Sequence, residues 1–364
     1  MNRRDEWEAV GIYDPAAPDA EQRLELLEWL DAQGIGTAEM IDACAREQLN
    51  ALAGDRKLRP GRRMTVHEVA TEVGLPYETV IAVHRSTGMP PSADDDPVYT
   101  EADIQMFQLF GLASQVFSLA ELGHFTRVVG NSMRRIAEAA GEMFLRDVEA
   151  PIYESRAGTP LEMAKANLEG IELAHMASGI FDPMFRAHLE MAVRTVRRAR
   201  EGQHDYSTVP LTIGFVDLSG FTSRASAMSP GELLELVMAF EAASVDLVAE
   251  HGGRLVKLIG DEVMFSTVEP SEACAIADGL VRHASQIAGG GRAGLAHGHV
   301  VASGGDVYGE IVNLAARIVD AAVPGEILVN EAVTARADGL QFDPAGRRQL
   351  KGFAEPVRLW SLEP

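Results

Sequence analysis

The chain is short of cysteine, of aromatic residues and of positive charge, and it has no long uncharged apolar run. Cys44 and Cys274 are the only two cysteines. Two thiols so far apart make no disulfide framework, which points to a reducing compartment. The nearest approach to a membrane span is Phe107 to Leu122. Gln108, Gln115 and Glu121 interrupt it, so it reads as buried helix. The first residues, Met1-Asn-Arg-Arg-Asp-Glu-Trp-Glu, carry no apolar segment of a secretory leader. The expectation is a soluble, cytoplasmic protein. Lys and Arg number 32 against 54 Asp and Glu, a net charge of -22. Such a surface repels nucleic acid and anionic lipid, so neither is an expected partner.

What is present is enough for real cores. The 364 residues are 46% apolar, which suggests two or three domains. Residues 1–182 read as an all-helical domain. Leu24, Leu27 and Leu30 recur at helical spacing before Gly34 to Gly36 ends the segment. Residues 37–52 form another apolar-periodic stretch. Gly54 to Arg63 reads as a loop with five cations, solvated or paired to the acidic surface. Thr65 is a plausible N-cap with Glu68 at capping-box spacing. Ala70, Gly74 and Thr79-Val80 then fit a helix-turn-helix-like unit over 65–88. Its second helix, Tyr77 to Arg85, has one firm cation, so packing is expected there rather than DNA reading. Pro90 to Pro97 reads as an exposed connector. Helices follow at about 101–122, 123–148 and 159–178. A linker helix, within 183–206, presents Phe185, Leu189, Val193 and Val196 on one face and ends in arginines that suit its macrodipole.

From Val209 the pattern changes. Leu211 to Val216 is a nearly continuous apolar run, hence a buried strand. Pro230 to Glu250 is an amphipathic helix. Arg254 to Ile259 and Glu262 to Thr267 are strands flanking a tight Gly260-Asp261 turn. Ser271 to Ile287 is helix, Arg292 to Ala302 strand, Ile311 to Ala322 helix and Glu326 to Val329 strand. Residues 340–363 close with two more strands. The leading order is strand-helix-strand-strand-helix-strand, a ferredoxin-like split unit with additions.

Three stretches here carry chemistry. They are Phe215-Val-Asp-Leu-Ser-Gly-Phe-Thr222, Lys257-Leu-Ile-Gly-Asp261 and Asp306-Val-Tyr-Gly-Glu-Ile-Val-Asn-Leu-Ala-Ala-Arg317. Asp217 closes a strand, and the turn after it, through Gly220, Phe221 and Thr222, exposes backbone N–H groups suited to phosphate. Asp261 projects from a hairpin tip. Two carboxylates with polyphosphate oxygens make a hard-oxygen site that favours Mg²⁺ or Mn²⁺. Asn313 and Arg317, four apart, share one helix face.

These stretches resemble class III nucleotidyl cyclases, the adenylate and guanylate cyclases, over residues 207–364. The resemblance implies an α+β fold, with a ferredoxin-like catalytic domain behind an all-helical regulatory domain. It also implies two divalent metal ions on Asp217, Asp261 and the backbone of Leu218. Lys257 and Asp306 would read adenine. Asn313 and Arg317 would stabilise the transition state. Leu350-Lys-Gly-Phe353 looks like the family's C-terminal strand pair, with Lys351 on the triphosphate. A Lys/Asp pair selects ATP over GTP, because guanine reverses the donor and acceptor pattern. In this family the base-reading and metal-binding residues of one site come from different subunits, which implies a homodimer. The helical half resembles regulatory domains that restrain bacterial cyclases and respond to pH. His188 and His204, in or beside the linker helix, are the candidate titrating groups. Two alternatives stand beside the ATP reading. One is a guanylate cyclase, disfavoured by Lys257 and Asp306. The other is a DNA-binding regulator with an inactive nucleotide-binding domain, disfavoured by the complete site and the acidic charge.

Overall fold

The computed structural model describes residues 2–154, 158–200 and 207–363. The chain divides into Met1–Arg186 and Ala187–Pro364.

The first unit opens with α1 (Arg3–Ala9), α2 (Ala20–Ala32), α3 (Thr37–Ala45) and α4 (Leu52–Leu58). Trp7, Leu26, Leu27, Leu30, Ile35 and Met40 bury together in one core. The stretch expected to be periodic over 37–52 stops at Ala45, and the expected loop from Gly54 is helical as far as Leu58. Four of its five cations pair with acids, Arg56 among them with Glu39 at 3.5 Å. Lys57 pairs with Glu172 at 2.5 Å, Arg59 with Asp103 and Arg62 with Glu68. A second core lies under β1 (Arg63–Met64), α5 (Val66–Val73), α6 (Tyr77–Ser86), β2 (Tyr99–Thr100) and α7 (Glu101–Ala113). Thr65 and Glu68 form the expected capping box. The short β1–β2 ladder is a departure from an all-helical domain.

The helices α8 (Leu119–Phe144), α9 (Ala150–Glu154) and α10 (Pro160–Ala177) complete this unit, with one π-helical stretch at Leu145–Glu149. Phe107 to Leu122 is not the single buried helix the apolar run suggested. Ser118 accepts a hydrogen bond from the Glu121 N–H and starts a new helix there. Leu109, Leu112 and Val116 are 67%, 64% and 78% exposed, so only Phe107 and Leu122 of that run's large apolar residues are buried. Helix α11 (Phe181–Ala199) contains the division between the units.

The second unit is built on β3 (Val209–Leu218). Then come α12 (Phe221–Ala225), α13 (Pro230–Glu250), β4 (Arg254–Ile259), β5 (Glu262–Thr267), α14 (Pro270–Ala288), β6 (Gly291–Ser303) and β7 (Asp306–Tyr308). The chain continues through α15 (Glu310–Ala321), β8 (Ile327–Asn330), α16 (Glu331–Thr334), β9 (Phe342–Arg348) and β10 (Val357–Leu362). The strand order is β4-β5-β3-β6-β8-β10-β9, with β7 paired to β6. The first four strands pair antiparallel, as the split ferredoxin-like unit requires, and β6–β8 is parallel.

The continuous apolar run of β3 follows from burial on both faces. Val216 and Leu218 join Phe240, Val263, Phe265 and Leu280 on the side of α13 and α14. Ile213 and Phe215 join Met264, Leu314, Ile318 and Val319 on the side of α15. Alternate residues thus serve opposite layers. Leu350-Lys-Gly-Phe353 is not in the closing strand pair. It lies in the loop joining β9 to β10, where buried Leu350 anchors a turn closed by the Phe353 N–H on the Leu350 carbonyl at 3.1 Å.

Candidate active site

The two expected metal carboxylates are brought together by strand register. Asp217 sits at the end of β3 opposite Glu262. The Leu218 N–H donates to the Asp261 carbonyl at 3.2 Å, so the two acid-bearing segments are hydrogen-bonded neighbours. Neighbouring strands lie about 5 Å apart, which puts both carboxylates within reach of one small cluster. Gly260 holds φ +66 at the hairpin tip, a backbone that turns the chain sharply and leaves Asp261 projecting.

Arg292 completes this cluster and was not singled out by the sequence reading. It pairs with Asp217 across the β3–β6 ladder. Its Nε and Nη2 reach one Asp217 oxygen at 2.8 and 2.7 Å, and its Nη1 reaches the carbonyls of Asp320 and Ala322 at 3.3 Å each. Burial, and then the nearby Asp217, raise the Asp261 carboxyl above its usual range. Glu262 is pushed up to about 7 by burial, then by Asp217, Asp320 and Asp261. These acids repel one another, and Arg292 offsets them only in part. Added positive charge relieves that repulsion, and carboxylate oxygens suit hard divalent cations, although among the described residues no three such donors stand together as a preformed cage.

The proposed base-reading residues meet directly. Lys257 Nζ donates to Asp306 Oδ2 at 2.6 Å. Burial raises the Asp306 carboxyl, but hydrogen bonds from Lys257 and the Val307 amide outweigh it and hold Asp306 below its ordinary value. A cationic donor and an anionic acceptor therefore stand side by side, partly open to solvent.

Asn313 and Arg317 lie on α15, whose inner side packs on β6. The helix comes very close at Gly294, where an added Cβ would meet the Val319 nitrogen at 2.2 Å and the Ala315 carbonyl oxygen at 2.7 Å. Asn313 is exposed, and Arg317 Nη1 is held by Asp320 Oδ2 at 2.9 Å. Gly220, Phe221 and Thr222 form the entry to α12. Lys351 is exposed in the β9–β10 loop. His188 is exposed on α11, while His204 lies outside the described residues.

The mixed sheet thus carries paired acids at one strand end and a Lys/Asp couple, with Asn313 and Arg317 on the helix packed against it. Residues 204–364 match the Adenylate and Guanylate cyclase catalytic domain, and residues 11–196 match the Adenylate cyclase regulatory domain. An uncharacterized protein of Mycobacterium tuberculosis is 37% identical, covering 98% of this chain and 93% of its own. An adenylate cyclase of Glutamicibacter nicotianae is 30% identical over 89% of this chain and 83% of its own. A pH-sensitive adenylate cyclase of M. tuberculosis is 28% identical over 94% and 88%. The chain belongs to the class III nucleotidyl cyclase family. Among the described residues no helix is long and apolar enough to cross a membrane.

Proposed function

We propose that the chain converts ATP to 3′,5′-cyclic AMP and pyrophosphate. The Lys257–Asp306 pair, at 2.6 Å, carries this reading. Adenine offers an acceptor at N1 and a donor at N6, which match the Lys ammonium and the Asp carboxylate. Guanine offers the reverse and leaves both groups unpaired, at a cost of about 1–3 kcal/mol for each.

Asp217, Asp261 and the Leu218 carbonyl would hold two divalent ions, Mg²⁺ or Mn²⁺. When bound, the ions make the ribose 3′-hydroxyl more acidic and neutralise phosphate charge. The backbone amides around Gly220, Phe221 and Thr222 bind phosphate oxygens, and Lys351 reaches the triphosphate from its loop. Asn313 helps stabilise the transition state from the same helix face. Arg317 exchanges Asp320 for the α-phosphoryl oxygens as negative charge grows on them, a task that suits its planar fork.

The metal-binding and base-reading residues of one site come from two chains, so the active species is a homodimer with two composite sites. The helical unit restrains that pair through α11 and releases it with pH. The test is the purified 364-residue chain with Mn²⁺ and either ATP or GTP. Cyclic AMP from ATP, with far less cyclic GMP from GTP, is expected. Absence of product from both nucleotides would refute the proposal.

A further inference from the structure

The β6–β7 ribbon that carries Asp306 extends beyond the rest of the sheet. β3 begins at Val209, opposite Val300, and β8 meets β6 only at Ala293 to Leu295. Three residue pairs define the ribbon: Val301–Tyr308, Ala302–Val307 and Ser303–Asp306. Its tip is Gly304-Gly305, at φ +60 and +79. A two-stranded ribbon with a glycine tip is a soft mount for a carboxylate that must sit within a fraction of an ångström.

Two tethers reach it from β4. One is the Lys257–Asp306 bond. The other is Arg254, whose Nη1 donates to the Gly305 carbonyl at 2.7 Å. Residues three apart on a regular strand point to opposite faces. Here a bulge intervenes. Arg254 pairs with Ser266, Leu255 with Phe265 and Lys257 with Met264, which leaves Val256 without a partner residue on β5. Ser266 and Met264 are two apart, so the bulge returns Arg254 and Lys257 to one face. One side of β4 thereby grips both the ribbon tip and the carboxylate beside it.

We propose that Arg254 is a positioning residue for base selection, resting on the ATP reading above. It holds the Gly304-Gly305 turn so that Asp306 meets the adenine N6 amine. Without it Lys257 still donates, but the acceptor loses its place. ATP then loses a bond, while GTP, which has no donor for Asp306 there, loses nothing.

The test uses the full chain with Arg254→Met and Arg254→Gln, which keep most of the aliphatic stem, and Arg254→Lys, which keeps a cationic donor. Steady-state rates on ATP and GTP with Mn²⁺ are the readout, with thermal melts alongside. For Met and Gln the expected results are a KM for ATP about tenfold higher and a kcat within about threefold. The ATP-to-GTP ratio of kcat/KM falls about tenfold, and Arg254→Lys recovers most of it. Folded Met and Gln variants with the parent's ratio would overturn the inference. So would a loss of kcat at an unchanged ratio, or unfolding of both, since each makes Arg254 merely structural. A parent that prefers GTP sinks the ATP reading and this inference together. A parent that prefers ATP, with unmoved variants, sinks this inference alone.

Discussion

Replacing Gly294 by Ala would test whether the seat of α15 sets the catalytic rate. The new Cβ would stand 2.2 Å from the Val319 nitrogen, 2.7 Å from the Ala315 oxygen and 2.8 Å from the Val319 Cα. All three are helix backbone, so no rotamer change removes the clash. Restoring ordinary contact of about 3.5 Å requires α15 to move away by roughly 1 Å. Overpacking of this kind costs about 1–3 kcal/mol, which lowers Tm by several degrees, roughly 5 °C. The functional effect is larger. Asn313 and Arg317 ride on the displaced helix, and a misplacement of about 1 Å can cost around 100-fold in rate. Lys257 and Asp306 lie off this helix, so base preference should hold while kcat falls. The assay is steady-state turnover of ATP and GTP together with a thermal melt. A variant with kcat within twofold of the parent and an unchanged Tm would refute the reasoning.

Two further outcomes are expected. His297 is buried, with its Nδ1 3.0 Å from the Thr212 hydroxyl oxygen. Burial, with Arg336 and His299 nearby, lowers it to about 4 from 6.5. Between those values the unfolded chain binds a proton that the folded chain does not, so stability drains as pH falls. The loss between pH 7 and pH 5 is about 2 kcal/mol, and denaturant melts of His297→Gln should show a correspondingly smaller acid loss. If parent and variant lose the same stability, His297 is not the cause. Separately, removing residues 1–206 should raise specific activity and flatten its dependence on pH. Identical activity and pH profiles for the long and short chains would remove the case for a restraining sensor.

The catalytic half was legible because its elements are short and sharply punctuated. Gly260-Asp261 between two apolar runs could only be a hairpin tip, and the run over Leu211 to Val216 marked a strand covered on both sides. The helix over Pro230 to Glu250 was read at its observed bounds. What escaped depends on register, which one strand's residues do not reveal. Arg292 reaches Asp217 because it falls opposite on the next strand. Arg254 shares a face with Lys257 because of a bulge that leaves no mark in composition. Lys351 was placed with a strand pair on the family resemblance alone, whereas buried Leu350 anchors a loop there. In the helical half, Phe107 to Leu122 misled because apolar content was taken for burial. The better signal was Ser118 with Glu121, the spacing of a helix start.

The central claim is that one ATP site takes its acids from one chain and its base-reading and transition-state residues from another. Mixing the inactive variants Asp217→Ala and Arg317→Ala tests it most directly. A heterodimer would hold one site with both defects and one with neither. The account predicts that the mixture regains part of the parent's cyclic AMP production. A mixture that stays inactive, although heterodimers are shown to form, would contradict it.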